Sequence, residues 1–175
     1  LNLPVWGQMN ITEHENRIEA ATERCTLVVK KRPFGFEIQR GGKAVLAVPE
    51  EGGGFFVVSG ETVKLGSLLS LAQKGDSLEV HVGTAHEDAT VMYRVRMQPD
   101  QIHVHAKVEG VPEVERIGES FALASGGHWY GGEVTAANSW PLEANEWNAD
   151  PFLATSNHAT PFWMTSSGVG MFLKT

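Results

Sequence analysis

The residues best equipped for chemistry lie near the C-terminus, where aromatic rings, glycines and amides crowd together. Gly126-Gly127-His128-Trp129-Tyr130-Gly131-Gly132-Glu133 is followed by Asn138-Ser139-Trp140-Pro141-Leu142-Glu143, and Trp147 comes shortly after. An exposed indole is costly unless it covers something, and the apolar face of a pyranose is a good match for it. Short amides and carboxylates then take the hydroxyls. This spacing makes Trp129, Asn138 and Trp140 candidates for sugar-facing positions, with His128 and Glu133 behind them.

A second constellation is His103-Val104-His105 with Glu109. Two imidazoles two residues apart on a strand point the same way, and with a nearby carboxylate they have the makings of a divalent-metal triad. The spacing matches the first motif of the cupin barrels. However, the glycines expected around it are Met97 and Arg116, and no Pro-x-Gly motif with a further histidine follows. The solvated face of a strand is the preferred reading, and we assign no metal site.

Other catalytic arrangements are incomplete. Glycoside hydrolysis needs two facing carboxyl groups, yet Asp76, Asp88 and Asp100 fall in or beside turns, which aspartate favours for its own reasons. Asp150, Glu133 and Glu143 remain near the aromatic segment without forming a pair. No Gly-x-Ser-x-Gly elbow occurs, and Ser125 lacks a following helix. Gly52-Gly53-Gly54 has the composition of a phosphate cradle without its lysine or helix, so it reads as a flexible surface turn. Cys25 is the single cysteine, which excludes an internal disulfide; it reads as a buried, inert thiol.

With 14 Lys and Arg against 21 Asp and Glu, the net charge of -7 disfavours a nucleic-acid partner. The one basic run, Lys30-Lys31-Arg32, reads as the solvated end of a strand. No apolar run has the length of about 20 residues that spans a bilayer as a helix, so no membrane partner is expected. The triplet Asn10-Ile11-Thr12 is a possible glycosylation acceptor.

The elements that must position these residues are strands. Period-two alternation runs through residues 26–29, 34–40 and 43–48, with Phe34, Phe36 and Ile38 on one face and Gly41-Gly42 as a two-residue hairpin turn. It returns in 77–82, 90–97 and 101–108, where Leu78, Val80, Val82, Val91, Tyr93, Val95, Ile102, Val104, Ala106 and Val108 face one way. These three form an antiparallel meander with one buried face. Only residues 64–74, with Leu65, Leu68, Leu69 and Ala72, carry a helical spacing, and one short helix or turn is expected there. An all-β antiparallel sandwich follows, because so many short strands need a second sheet to cover the first.

The chain resembles the N-terminal part of glycoside hydrolase family 31. Pro161-Phe162-Trp163-Met164-Thr165-Ser166-Ser167-Gly168-Val169-Gly170-Met171-Phe172 is similar to that family's Pro, aromatic, serine and Gly-x-Gly stretch before a strand. Pro33-Phe34-Gly35-Phe36-Glu37-Ile38 is similar to its early strand, and Arg116-Ile117-Gly118-Glu119-Ser120-Phe121 to the Gly-Glu stretch before the substrate loop. Gly127-His128-Trp129-Tyr130-Gly131-Gly132 with Trp140-Pro141-Leu142 resembles the branch that contains the myogenesis-regulating glycosidase.

The resemblance implies a galactose-mutarotase-like β-sandwich, spanning residues 1–175 as a single N-terminal domain, ahead of a (β/α)₈ barrel that carries both catalytic aspartates. No Trp-x-Asp-Met motif is present here, so no catalytic residue is expected in this chain and no cofactor is called for. The start at Leu1 without a methionine, and the strand-like Val169-Gly170-Met171-Phe172-Leu173 close to Thr175, suggest a piece of a longer enzyme. Its expected partners are a carbohydrate substrate and the barrel of the same polypeptide, with residues 126–147 reaching over the sugar pocket. Packing against that barrel is the competing role for each tryptophan. A stand-alone carbohydrate-binding sandwich using Trp129, Trp140 and Trp147 is the alternative, and a cupin-like metalloenzyme a third.

Overall fold

The computed structural model describes residues 9–98, 101–122, 127–133, 141–142 and 159–172, with backbone alone at 132–133 and 159–161. Fourteen strands and no α-helix are found among the described residues. They fall into two compact units, residues 1–122 and 123–175.

The first unit is an antiparallel β-sandwich. One sheet has five strands in sequence order: β1 (Asn10–Glu13), β2 (Arg17–Ala21), β3 (Thr26–Lys31), β4 (Phe34–Arg40) and β5 (Lys43–Ala47). The other contains β6 (Phe55–Val58), β7 (Glu61–Lys74), β8 (Ser77–Thr84), β9 (Thr90–Met97), β10 (Ile102–Glu109) and β11 (Val114–Gly118), ordered β10-β9-β8-β7-β6-β11. Their inner faces share one apolar cluster. Leu27, Val29, Phe34 and Phe36 come from the first sheet, and Phe56, Leu78, Val80, Val82, Val91, Tyr93 and Val95 from the second. Tyr93 stacks on Phe34 with ring centroids 5.4 Å apart and meets Phe36 edge-on at 5.1 Å. Such offset and T-shaped contacts suit the ring quadrupoles.

Alternation anticipated this core well. The Gly41-Gly42 hairpin is present, with Arg40 opposite Lys43 and both glycines at positive φ, 58° and 74°. That is the backbone the tight primed turn requires. Nothing lies within 4 Å of a Cβ at Gly42. Gly42→Ala therefore meets only the left-handed backbone penalty, and we expect a loss of about 1 kcal/mol in urea denaturation.

Two expectations are corrected. Residues 64–74 form no helix or turn; they belong to the 14-residue strand β7, which pairs first with β6 and then with β8. The register shifts between Leu65 and Leu68 and again between Leu68 and Ser70. Each irregularity changes the phase of the strand, so Leu65, Leu68 and Leu71 all reach the core while Leu69 is 61% exposed. A bulged strand thus mimics helical spacing. The inward face of β10 is also less covered than alternation suggests, since β10 is an edge strand and Val104 is 49% exposed.

The second unit contains a three-stranded antiparallel sheet, with β13 (Ala159–Thr165) between β12 (Trp129–Glu133) and β14 (Gly170–Phe172).

Candidate functional site

The small sheet places part of the aromatic segment. Trp129 stands opposite Thr165, Tyr130 opposite Met164, and Gly131 opposite Trp163; Trp163 in turn faces Met171, and Phe162 faces Phe172. Alternation then divides the side chains. Trp129, Trp163, Thr165 and Met171 share one face, and Tyr130, Phe162, Met164 and Phe172 share the other. Met164 and Phe172 are exposed, the latter by 64%.

A turn holds Trp129 in place from the side. The His128 N–H donates to Ser166 Oγ at 3.0 Å, and the Ser166 N–H donates back to the His128 carbonyl at 2.9 Å. The Thr165 hydroxyl lies 2.7 Å from that of Ser167 and accepts from the Val169 N–H at 3.2 Å, and Gly168 closes the turn at φ 82°. The serines and glycine that the sequence showed as a motif are the clasp of the β13–β14 hairpin. Gly131 is equally constrained. It has φ 118° at a register shift, and a Cβ there would overlap the Phe162 carbonyl oxygen.

Of the sugar-facing candidates, Trp129 is half-buried and His128 exposed. They point to opposite faces, and the His128 ring approaches Tyr130 edge-on with centroids 6.5 Å apart. Glu133 closes β12 opposite Ala159. Asn138, Trp140 and Trp147 lie outside the described residues, as do Asp100, Ser125, Glu143 and Asp150.

The histidine pair remains on a solvated strand. His103 Nε2 lies 3.1 Å from Gln101 Oε1, and Glu109 accepts from Lys107 Nζ at 2.9 Å, which holds its carboxyl below the usual range. No group of three or more potential metal ligands occurs among the described residues. Asp76 pairs with Arg96 at 2.6 Å. Cys25 is only partly buried, its sulfur 3.4 Å from the Thr22 hydroxyl in the turn between β2 and β3.

The structure reveals one group that sequence reasoning noted only as part of a motif. Glu119, immediately after β11, turns its carboxyl inward against the loop 52–54 and Tyr93. Its Oε1 is buried without a hydrogen-bond partner among the described residues. Burial raises its pKa to about 7, against the opposing pull of the Ser120 N–H and the Tyr93 hydroxyl. Tyr93 is pushed upward in turn, by its own burial first and then by the Glu119 charge. Gly53 and Gly54 are buried here and form no flexible surface turn. A Cβ on Gly53 would lie 2.5 Å from Glu119 Oε1, and one on Gly54 would lie 3.2 Å from Glu119 Oε2. The Ser120 N–H donates to the Gly53 carbonyl at 3.1 Å and the Ala122 N–H to the Ala47 carbonyl at 2.7 Å. The chain is thus fixed to the sandwich just before residue 123, where the second unit begins. A lone carboxylate beside a glycine run gave no sequence signal of this packing.

Neither the curated proteins nor the solved structures contain a significant match. The family model for the myogenesis-regulating glycosidase N-terminal domain matches residues 19–175, which takes in the sandwich from β2 onward, Glu119 and the small sheet. The chain therefore belongs to the family of myogenesis-regulating glycosidase N-terminal domains.

Proposed function

We propose that this domain is the non-catalytic front of a retaining α-glycosidase of glycoside hydrolase family 31, with a galactose-mutarotase-like sandwich. The observation that carries the reading is the family match along residues 19–175, combined with a small sheet whose two faces are both aromatic. In this reading Trp129 and the segment 126–147 wall the sugar pocket. The exposed Met164 and Phe172, on the opposite face, dock against the catalytic barrel. The barrel supplies the acid and the nucleophile, and hydrolysis proceeds by double displacement through a glycosyl-enzyme intermediate.

Trp129→Ala in the full-length enzyme tests the assignment. Loss of one stacking face should raise KM about tenfold for 4-nitrophenyl α-D-glucopyranoside or α-D-galactopyranoside, whichever is cleaved, and leave kcat within about threefold. Unchanged KM would remove Trp129 from the pocket. Sugar affinity retained by the domain alone, together with no activity in the parent chain, would favour a free-standing carbohydrate-binding module.

A further inference from the structure

The sequence holds one Asn-x-Ser/Thr triplet, Asn10-Ile11-Thr12, for which neither the sandwich core nor the aromatic segment has a use. Such a triplet is an acceptor for an N-linked glycan. A glycan must project from the folded domain, so its asparagine has to face solvent.

The fold meets that condition. All four residues of β1 are exposed, and β1 is the first strand of its sheet, paired with β2 alone among the described residues. Ile11 stands opposite Ala20 and Glu13 opposite Ile18, both members of the inner cluster. Alternation therefore turns Ile11 and Glu13 toward the core side, and Asn10 and Thr12 outward together. Asn10 stands opposite Ala21, and the same row continues across the sheet through Thr26 and Gln39. That row has no charge and no ring, which leaves space above it for a sugar. The charges nearby are engaged with each other: Glu13 accepts from Lys31 Nζ and Glu19 from Arg17 Nε, both at 2.7 Å. No side-chain hydrogen bond of Asn10 or Thr12 occurs among the described residues.

The strand also lacks the usual protection of an edge. An open edge is a template for pairing with other chains, and natural sheets blunt it with lysine, proline, bulges or a cover. β1 has no lysine, proline or register shift, and Ile11 is 37% exposed on it.

We propose that Asn10 carries an N-linked glycan, which covers the open edge of β1 and requires the domain to enter a compartment where oligosaccharides are transferred to polypeptides. The donor is an oligosaccharide joined through a diphosphate to a polyisoprenyl lipid. Asn10 Nδ2 forms a bond to the anomeric carbon of the first sugar. The bond from that carbon to the diphosphate oxygen breaks, its electron pair leaves on the lipid diphosphate, and the nitrogen passes one proton to a base of the transferase. The Thr12 hydroxyl is the group by which the transferase recognises the triplet. The glycan and the role of Trp129 stand independently of each other.

The test is peptide mapping by mass spectrometry on the full-length protein isolated from the cells that naturally make it, before and after peptide-N-glycosidase digestion in heavy-oxygen water. The peptide containing Asn10 should be glycosylated, and digestion should convert that asparagine to labelled aspartate. Asn10→Gln and Thr12→Ala, expressed in the same cells, should each abolish the modification, whereas Thr12→Ser should keep it. All these substitutions fall on exposed side chains, so the glycan is lost without loss of the fold, and an unchanged urea midpoint for the enzymatically deglycosylated Asn10→Gln protein and its deglycosylated parent checks this. Asn10→Gln should also aggregate faster than the glycosylated parent on mild heating, as followed by light scattering. An unmodified Asn10 peptide in the natural protein would overturn the proposal, as would a modification that survives Thr12→Ala. Equal aggregation with and without the glycan would overturn the covering of β1.

Discussion

Glu119→Gln is expected to make the domain more stable at pH 8 by roughly 3 kcal/mol and to flatten its pH dependence. The carboxyl titrates near 4.5 in the unfolded chain and near 7 when folded, chiefly because burial penalises its charge. Below pH 4.5 both states hold the proton, and no penalty exists. Between 4.5 and 7 the unfolded chain releases its proton while the folded chain keeps it, so stability falls as pH rises. Above 7 the full loss persists. At 1.36 kcal/mol per pKa unit it amounts to roughly 3 kcal/mol, a large part of a typical domain's 5–15 kcal/mol. Urea denaturation of wild type and variant at pH 4.5 and pH 8 measures it. Tyr93→Phe serves as the companion, since removing the hydroxyl that favours the charged form should move the titration further upward. A wild-type stability that stays level across this range would show that the carboxyl reaches solvent.

Gly131→Ala should damage the small sheet while sparing the sandwich. The residue has φ 118°, which only glycine adopts without strain, and a Cβ would overlap the Phe162 carbonyl oxygen and sit 2.9 Å from Trp163 Cα. Backbone strain and overpacking each cost about 1–3 kcal/mol, so a combined loss on the order of 3 kcal/mol is expected. The colliding atoms are backbone, which no rotamer change can clear. Hydrogen exchange should quicken at Trp129, Gly131 and Met164 and stay unchanged at Val80 and Val91 in the sandwich. Under the function proposed above, the variant in the full-length protein should reproduce the raised KM proposed for Trp129→Ala, because β12 has lost its pairing with β13. Protection retained across β12 and β13 would show that the sheet tolerates the shift.

Much of the sandwich was legible because period-two alternation reports directly on one-sided burial. Leu78, Val80 and Val82 alternate with polar residues and are all fully buried. Gly41-Gly42 announced its hairpin because few other residue pairs adopt that backbone at no cost. Legibility failed where a strand departs from regular pleating. In β7 the bulges let leucines three apart reach one core, and no local pattern separates that from a helix turn. Position within the sheet was equally invisible. Val104 alternates as faithfully as Val95, yet one lies on an edge strand and is half exposed while the other has strands on both sides.

The candidate site divides in the same way. Sequence alone determined that aromatic and glycine residues cluster near the C-terminus, that the chain alternates as a β-protein, and that it resembles a glycosidase front domain. Those properties are local, carried by residue type and spacing. Only the tertiary structure decided that Trp129 and His128 turn to opposite faces, that Ser166 clasps the strand beside them, and that Glu119 is buried against Gly53, Gly54 and Tyr93. Each of these depends on which strands pair and in what register, since a one-residue slip sends a strand's side chains to the other face.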